Sequence, residues 1–202
     1  MAHPLAAAID ISNTNLPALV AAFNSIPHTE LVPSGAGANN WHFAIRHIPL
    51  PPPGDVLFLV NPASHFVHAE GPIAYPVDPQ SSPTHPSSSP SPQPPTTSDG
   101  ASVLNPPASA SLPPQVKAEG ILPLLLHSFV NRFRIADRSV PAFGPWSWST
   151  NDAELADAVS TAMKAAGVRE ELCVVGVGSA AENEDAQVDW CRFVGALTKM
   201  LK

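Results

Sequence analysis

The chain has 202 residues and a formal net charge of -7, and only 13% of its residues are charged. Its 2 cysteines exclude a disulfide scaffold and a zinc site built from cysteines alone, since such a site needs about four of them. The 10 basic residues form no run, which argues against nucleic-acid binding, and no stretch approaches the roughly 20 apolar residues of a membrane span.

The first predicted element is a helix that begins near Asn15. Asn15 suits the N-cap position, and Pro17 suits the first turn. Apolar residues then recur at helical spacing, namely Leu16, Leu19, Val20 and Phe23.

Three strands are predicted next. Apolar and polar residues alternate over 41–46, residues 56–60 form a continuous apolar run, and residues 65–68 follow after an Asn-Pro break. Because the connections between them are short, an antiparallel meander is the simplest arrangement.

A proline- and serine-rich stretch then divides the chain. Of the 39 residues from Pro76 to Pro114, 22 are Pro or Ser, and none is Phe, Trp, Tyr, Lys or Arg. Such a composition buries too little apolar surface to offset the entropy of ordering. We therefore expect a disordered linker over 76–116, which interrupts a domain formed by residues 1–75 and 117–202.

Within this linker, Pro92 and Pro95 have the P-x-x-P spacing of an extended polyproline ligand. They are candidate interaction residues, although no Arg or Lys flanks them. A passive spacer is the alternative interpretation.

Four elements are predicted beyond the linker. They are a helix over 121–135, a helix capped by Asn151 and ended by Gly167, a buried strand over 172–177 and a helix over 185–201. Together with the meander they predict an α+β fold, a small antiparallel sheet with packed helices.

The segment from Phe143 to Leu201 carries a resemblance to a known group of proteins. Its Gly-Pro-Trp-Ser-Trp motif at residues 144–148 and its late Asp189-Trp190 pair resemble the C-terminal region of uncharacterised proteins from mushroom-forming fungi. Some of those proteins carry a MYND-type zinc finger. Two cysteines cannot build that finger, so the resemblance implies a companion domain without zinc binding.

Gly176, Gly178 and Ala181 fit the G-x-G-x-x-A pattern of dinucleotide-binding turns, directly after a predicted strand. The chain ends after one more helix, without the further parallel strand and acidic residue that the motif requires. A glycine-containing turn from strand to helix is therefore the favoured interpretation, and a nucleotide-binding module is kept as a weaker hypothesis.

Four histidines, His42, His47, His65 and His68, fall in the predicted meander. Neutral imidazole is a common metal ligand, so a metal site on adjacent strands is one hypothesis. Strand geometry sends His65 and His68 to opposite faces, so solvent-facing strand residues are the favoured interpretation of the four histidines.

Trp146 and Trp148 alternate with serine and are expected to share one face of an extended segment. Two exposed indoles would form an interaction platform, whereas burial of both would cover the edge of the core.

These patterns favour a non-enzymatic protein-interaction or regulatory module with an unidentified protein partner and no cofactor. The low cysteine content and the N-terminus predict an intracellular protein, cytoplasmic or nuclear, without nucleic-acid or membrane contacts. The alternative is a small metal-dependent enzyme that uses the histidines of residues 42–68.

Overall fold

A five-stranded mixed sheet organises the fold. The computed structural model describes residues 15–35, 37–50, 53–76, 107–133 and 142–200. In chain order its strands are β1 (Asn40–Ile48), β2 (Gly54–Asn61), β3 (Phe66–Glu70), β4 (Ser147–Thr150) and β5 (Val175–Val177). In space they lie in the order β3-β2-β1-β4-β5.

In the described residues, four α-helices pack on this sheet. They are α1 (Leu16–Ser25), α2 (Pro114–His127), α3 (Ala153–Ala166) and α4 (Ala180–Met200). A π-helical turn at Ser128–Arg132 extends α2, and short 3-10 helices occupy Ala108–Ser111 and Glu170–Leu172. Among these described helices, none combines the length and apolar character that crossing a bilayer requires. The protein therefore has the predicted α+β fold.

The predicted meander is confirmed, but the sheet is not wholly antiparallel. β1 and β2 pair antiparallel, as do β2 and β3. β4 then pairs parallel to the other side of β1, with Trp148 beside Trp41, and β5 pairs parallel to β4. The parallel half arises because α3 carries the chain from β4 back to the start of β5, as a parallel connection requires.

The main core lies between the sheet and helices α1, α2 and α3. Alternate residues of β1 point into it, including the fully buried Phe43, and so do Leu57 and Leu59 of β2. The ring of Trp148 lies 5.3 Å from that of Phe129, which follows α2. This single core contains residues from both sides of the proline-rich stretch.

Helix α4 covers part of the opposite face of the sheet. Phe58 and Val60 of β2 are buried there against Ala186, with Trp190 and Phe193 partly buried beside them. Because successive strand residues point to opposite faces, the continuous apolar run in β2 supplies both layers.

Helix ends follow the local capping chemistry, with one correction. Asn15 caps α1 as predicted, and Gly167 ends α3 in the left-handed conformation. The cap of α3 is Asp152 instead of the predicted Asn151, because the Asp152 carboxylate accepts from the backbone N–H groups of Glu154 and Leu155.

The predicted linker extends too far toward the C-terminus. Helix α2 begins at Pro114, not at 121, because Pro113 and Pro114 suit the start of a helix. Residues 77–106, which include Pro92 and Pro95, lie outside the described residues.

One buried carboxylate contacts the described residues on both sides of this stretch. Asp55 Oδ2 accepts hydrogen bonds from the Tyr75 hydroxyl at 3.3 Å and from the Ser109 N–H at 2.8 Å. Both flanks of the proline-rich stretch are therefore anchored at the same atom of β2.

Candidate functional site

The outer edge of β5 is the candidate site. Of the described residues, only those of β4 pair with this strand. The N–H of Gly178 donates to the Thr150 carbonyl of β4 at 2.9 Å. Because strand residues alternate, the N–H and C=O groups of Val175 and Val177 point the other way, to the outside of the sheet.

The side chains around this edge are apolar and exposed. Val174 is 69% exposed and Val177 is 59% exposed. No charged residue occurs from Leu172 to Ala181. An edge strand ordinarily carries lysine, proline or a bulge that prevents further pairing. β5 contains neither lysine nor proline.

The start of β5 is held rigidly by the core. Leu172 and Cys173 are buried, and the Leu172 carbonyl accepts a hydrogen bond from the Trp148 indole N–H at 3.1 Å. Burial raises the pKa of the Cys173 thiol, which favours its protonated form, and the side chain packs in the main core. The predicted strand over 172–177 shortens to Val175–Val177 because Leu172 ends a 3-10 turn.

The end of β5 leads into α4 through a capping box. The Ser179 N–H donates to Glu182 Oε2 at 2.7 Å, and the Glu182 N–H donates to Ser179 Oγ at 3.2 Å. The Glu182 carboxylate thus already accepts from a backbone N–H at the start of the helix. A bound dinucleotide would place its pyrophosphate there. This arrangement favours the structural interpretation of Gly176, Gly178 and Ala181.

Packing explains the second glycine of this motif. A Cβ at Gly178 would lie 2.9 Å from Asn183 Oδ1 and 3.2 Å from the His42 ring, whereas a Cβ at Gly176 would meet only the Trp148 carbonyl oxygen at 3.5 Å. Of these two glycines, Gly178 is therefore the one whose position leaves little room for a side chain.

We expect Gly178→Ala to lower the free energy of unfolding by about 1–2 kcal/mol, because the new methyl group displaces Asn183 or His42. The matched control, Gly176→Ala, should stay within about 0.5 kcal/mol of the parent protein. Urea unfolding followed by circular dichroism measures both. Equal losses for the two variants would contradict the packing explanation.

His42 is buried beside Gly178, at the start of α4, so the expectation that it faces solvent is wrong. Its Nδ1 lies 3.1 Å from Ser149 Oγ. Burial lowers the pKa of His42, the Glu182 carboxylate opposes this to a smaller extent, and Arg46 lowers it further. His42 is therefore a neutral packing residue at physiological pH.

The other predicted histidines do not converge. These three histidines contact three different carboxylates. His47 lies 2.9 Å from Asp55, His65 lies 3.0 Å from Asp189 and His68 lies 2.9 Å from Glu70. In the described part of the chain, no group of three or more His, Cys, Asp or Glu side chains is arranged to hold a metal ion.

The two tryptophans of the Gly-Pro-Trp-Ser-Trp motif are separated by the fold. Trp148 is buried in the main core, so it is not available as an interaction residue. Trp146 precedes β4 and remains 50% exposed. The expectation that both indoles cover the edge of the core is therefore wrong for Trp146, which precedes β4 and stays exposed.

Acidic residues precede and follow β5 in the sequence. From residue 169 to residue 185 the chain contains five acids and one base, Arg169. The acids are Glu170, Glu171, Glu182, Glu184 and Asp185. Arg169 lies 3.3 Å from Glu171, which leaves the segment with an excess of negative charge.

Comparisons with protein-family models, with curated proteins and with solved structures give no match for this chain. The resemblance to fungal proteins consequently stays a prediction, and the site is interpreted from its own geometry.

The sequence pattern predicts the β5 strand but not its position at the edge of the sheet that the described residues form. Its pattern of consecutive valines is typical of an inner strand. One signal was present, namely the ten uncharged residues from Leu172 to Ala181 between two acidic groups.

Proposed function

We propose that this protein is a non-enzymatic interaction module that binds an extended segment of a partner protein along β5. The observation that carries this proposal is the outer edge of that strand, where Val175 and Val177 present backbone groups that pair with no described residue. Addition of a strand to such an edge is a recurrent mode of peptide recognition.

The physical basis is the satisfaction of backbone hydrogen bonds together with apolar contact. A partner strand would accept from and donate to Val175 and Val177, and its side chains would cover the exposed Val174 and Val177. The backbone groups supply affinity, and the alternating side chains supply selectivity.

The rigid setting of β5 supports a binding role. Val175 packs against the main core, and Trp148 holds the preceding turn. Binding to a preformed strand costs little conformational entropy, because the edge need not be ordered first.

The interior chemistry agrees with a non-enzymatic role. Two of the histidine–carboxylate pairs link structural elements: His47 of β1 pairs with Asp55 of β2, and His65 of the β2–β3 turn pairs with Asp189 of α4. Cys173 is buried and Cys191 is exposed, and both are free thiols, which fits the proposed location in the reducing cytoplasm or nucleus.

A peptide titration tests strand addition. We expect a capped Ser-Val-Thr-Val-Thr-Val-Ser peptide to shift the amide resonances of Val175 and Val177 saturably in 15N-labelled protein, and to slow their hydrogen exchange. Val177→Pro should abolish these effects, because proline removes an outward N–H without removing a bond to β4. Val177→Lys, which protects the edge while keeping its backbone, should weaken them strongly.

The control is Val188→Thr, which changes an exposed valine of α4 that lies outside the site. This variant should bind the peptide as the parent protein does. Shifts that cluster away from β5, or unchanged binding by both Val177 variants, would refute the proposed function.

A further inference from the structure

We infer that Gly176 selects an aromatic residue in the partner segment that binds along β5. This inference rests on the proposed function and specifies the class of partner, an extended segment with an aromatic side chain over Gly176 and β-branched residues near it. It follows from the position of this glycine in the sheet, and from the fact that the fold itself does not require a glycine there.

Neither backbone conformation nor packing calls for a glycine at position 176. Its φ is not positive, in contrast to those of Gly35, Gly71 and Gly167. Among the described residues, a Cβ at Gly176 would meet only the Trp148 carbonyl oxygen, at 3.5 Å, which is an ordinary contact distance. Glycine weakens a strand, and it often marks a place where a ligand or another backbone approaches closely. Gly176 is therefore explained better by what binds to β5 than by the folding of the chain.

The registers of the sheet place Gly176 at the outer end of a row of residues on the face that α4 covers. Outward from β2, this row consists of Val60, His42, Ser149 and Gly176. Val60 packs with Ala186 of α4, which identifies the face. Val60 and His42 are buried, Ser149 is half-buried and Gly176 is exposed. The cover that α4 provides therefore ends before β5.

A strand added to β5 would place one of its side chains directly beside Gly176. The outward N–H and C=O groups belong to Val175 and Val177, so Gly176 lies between them, at a position that forms no hydrogen bond with the added strand. In an antiparallel pair, residues opposite each other at such positions approach to about 4.5 Å between their Cα atoms. Because Gly176 has no Cβ, the partner side chain can lean across it toward Ser149, one strand spacing of about 4.8 Å further in.

An aromatic ring suits this gap better than an aliphatic side chain. Strands favour aromatic residues, and a flat ring reaches the positions next to the one directly opposite. A cross-strand aromatic side chain covers the exposed backbone of an edge glycine in this way and compensates for its missing side chain. Val174, which directly precedes β5 and is 69% exposed, offers further apolar contact.

The same gap disfavours a second copy of this chain as the occupant. A two-fold pairing would set the β5 strands of both copies antiparallel, because both copies present the same edge. No Phe, Trp, Tyr or His occurs from Leu172 to Ala181. Neither copy would therefore bring an aromatic side chain to Gly176 of the other, and the gap would stay unfilled on both sides.

Three capped peptides that differ only in their central residue test the inference. They are Ser-Val-Thr-Phe-Thr-Val-Ser and its analogues with leucine or valine in place of phenylalanine. We expect the Kd, measured by calorimetry with the full chain, to be about fivefold lower for the phenylalanine peptide than for either analogue. The leucine peptide controls for apolar area alone. The ring should also move the Hα resonances of Gly176 upfield, because protons above the face of an aromatic ring are shielded.

Matched variants locate the preference. Gly176→Val should remove the advantage of the phenylalanine peptide, because the new side chain occupies the gap, and should not weaken binding of the valine peptide. Gly176→Ala, a smaller change, should reduce the advantage without removing it. Gly195→Ala, at an exposed glycine of α4, should leave it intact. Thermal melting of each variant verifies that the fold is retained.

The outcomes separate the two proposals. Equal Kd values for the phenylalanine and leucine peptides, or a phenylalanine preference that persists in Gly176→Val, would overturn selection by Gly176 and leave strand addition standing. Failure of all three peptides to shift the amide resonances of Val175 and Val177 would overturn the proposed function itself. Concentration-dependent dimerisation that Val177→Lys abolishes would show that a second copy is the occupant, contrary to this inference.

Discussion

Gly144→Ala is expected to destabilise the fold by about 3 kcal/mol, because a methyl group has no room there. A Cβ at Gly144 would overlap the ring of His28. That ring cannot move aside easily, since its Nδ1 lies 2.9 Å from the Pro145 carbonyl oxygen and its Nε2 lies 3.1 Å from that of Phe23.

The backbone of Gly144 is held as firmly as the ring. Its N–H donates to the Pro27 carbonyl at 2.8 Å, and its C=O accepts from Asn39 Nδ2 at 2.7 Å. Asn39 is fully buried and also accepts from the Trp41 indole N–H at 2.8 Å. A shift of Gly144 would therefore disturb the buried network that connects β1 with the segment before β4.

Urea unfolding followed by tryptophan fluorescence measures this effect. Gly195→Ala in α4 is the matched control, because no atom lies within 4 Å of its new Cβ and alanine favours a helix by about 0.5–1 kcal/mol. In the double variant His28→Ala/Gly144→Ala the imidazole ring is absent. Part of the stability lost through overlap of the Gly144→Ala methyl group with that ring should therefore be recovered. A Gly144→Ala protein as stable as its parent would disprove the predicted clash.

Asp55→Asn is expected to cost about 3 kcal/mol at neutral pH, because it disrupts a buried, charge-assisted cluster. The Asp55 carboxylate lies 2.9 Å from His47 Nδ1 and accepts from Tyr75 and Ser109. The side-chain amide in Asp55→Asn would replace one acceptor oxygen with an N–H₂ donor. This donor would then face the donors that now bond to the carboxylate.

The stability lost in Asp55→Asn should decrease as the pH falls. Burial by itself would raise the pKa of Asp55, but the hydrogen bonds from His47 and Ser109 together outweigh it and hold the pKa below its ordinary value. A carboxyl whose pKa is lower in the folded state stabilises the protein above the unfolded value of about 3.9. This contribution is lost as the pH falls through the folded pKa.

The difference in unfolding free energy between parent and Asp55→Asn should therefore be largest near neutral pH and should narrow below about pH 4. Urea titrations at a series of pH values measure it. Asp152→Asn is the control with the same chemical change, since asparagine caps a helix nearly as well as aspartate. A constant difference across the pH range would contradict the assigned role of the carboxylate.

Local patterns predicted most of the elements but misplaced several of their ends. The alternation over 41–46 and the apolar run over 56–60 correspond to β1 and β2. Helix α2 was predicted to begin at 121 because Pro123 was assigned to its first turn, whereas Pro123 lies inside the helix. Tertiary packing compensates for the hydrogen bond that an internal proline removes, and no local rule shows this.

The candidate site depended on spatial neighbours that the sequence does not reveal. Consecutive valines describe an inner strand and an edge strand equally well, and only the order of strands in the sheet distinguishes them. Likewise, the histidines are close in the sequence, but alternation and the β2–β3 turn direct them to different partners.

The sequence by itself determined the class of the fold, the antiparallel meander, the caps at Asn15 and Gly167 and the excess of acid around β5. These properties are set by neighbouring residues, whose spacing controls periodicity, capping and local charge. Tertiary structure alone decided that Trp148 is buried while Trp146 is exposed, that Gly178 must be small and that β5 lies at the edge. Each of these depends on contacts between segments far apart in the chain, and such contacts leave no local pattern.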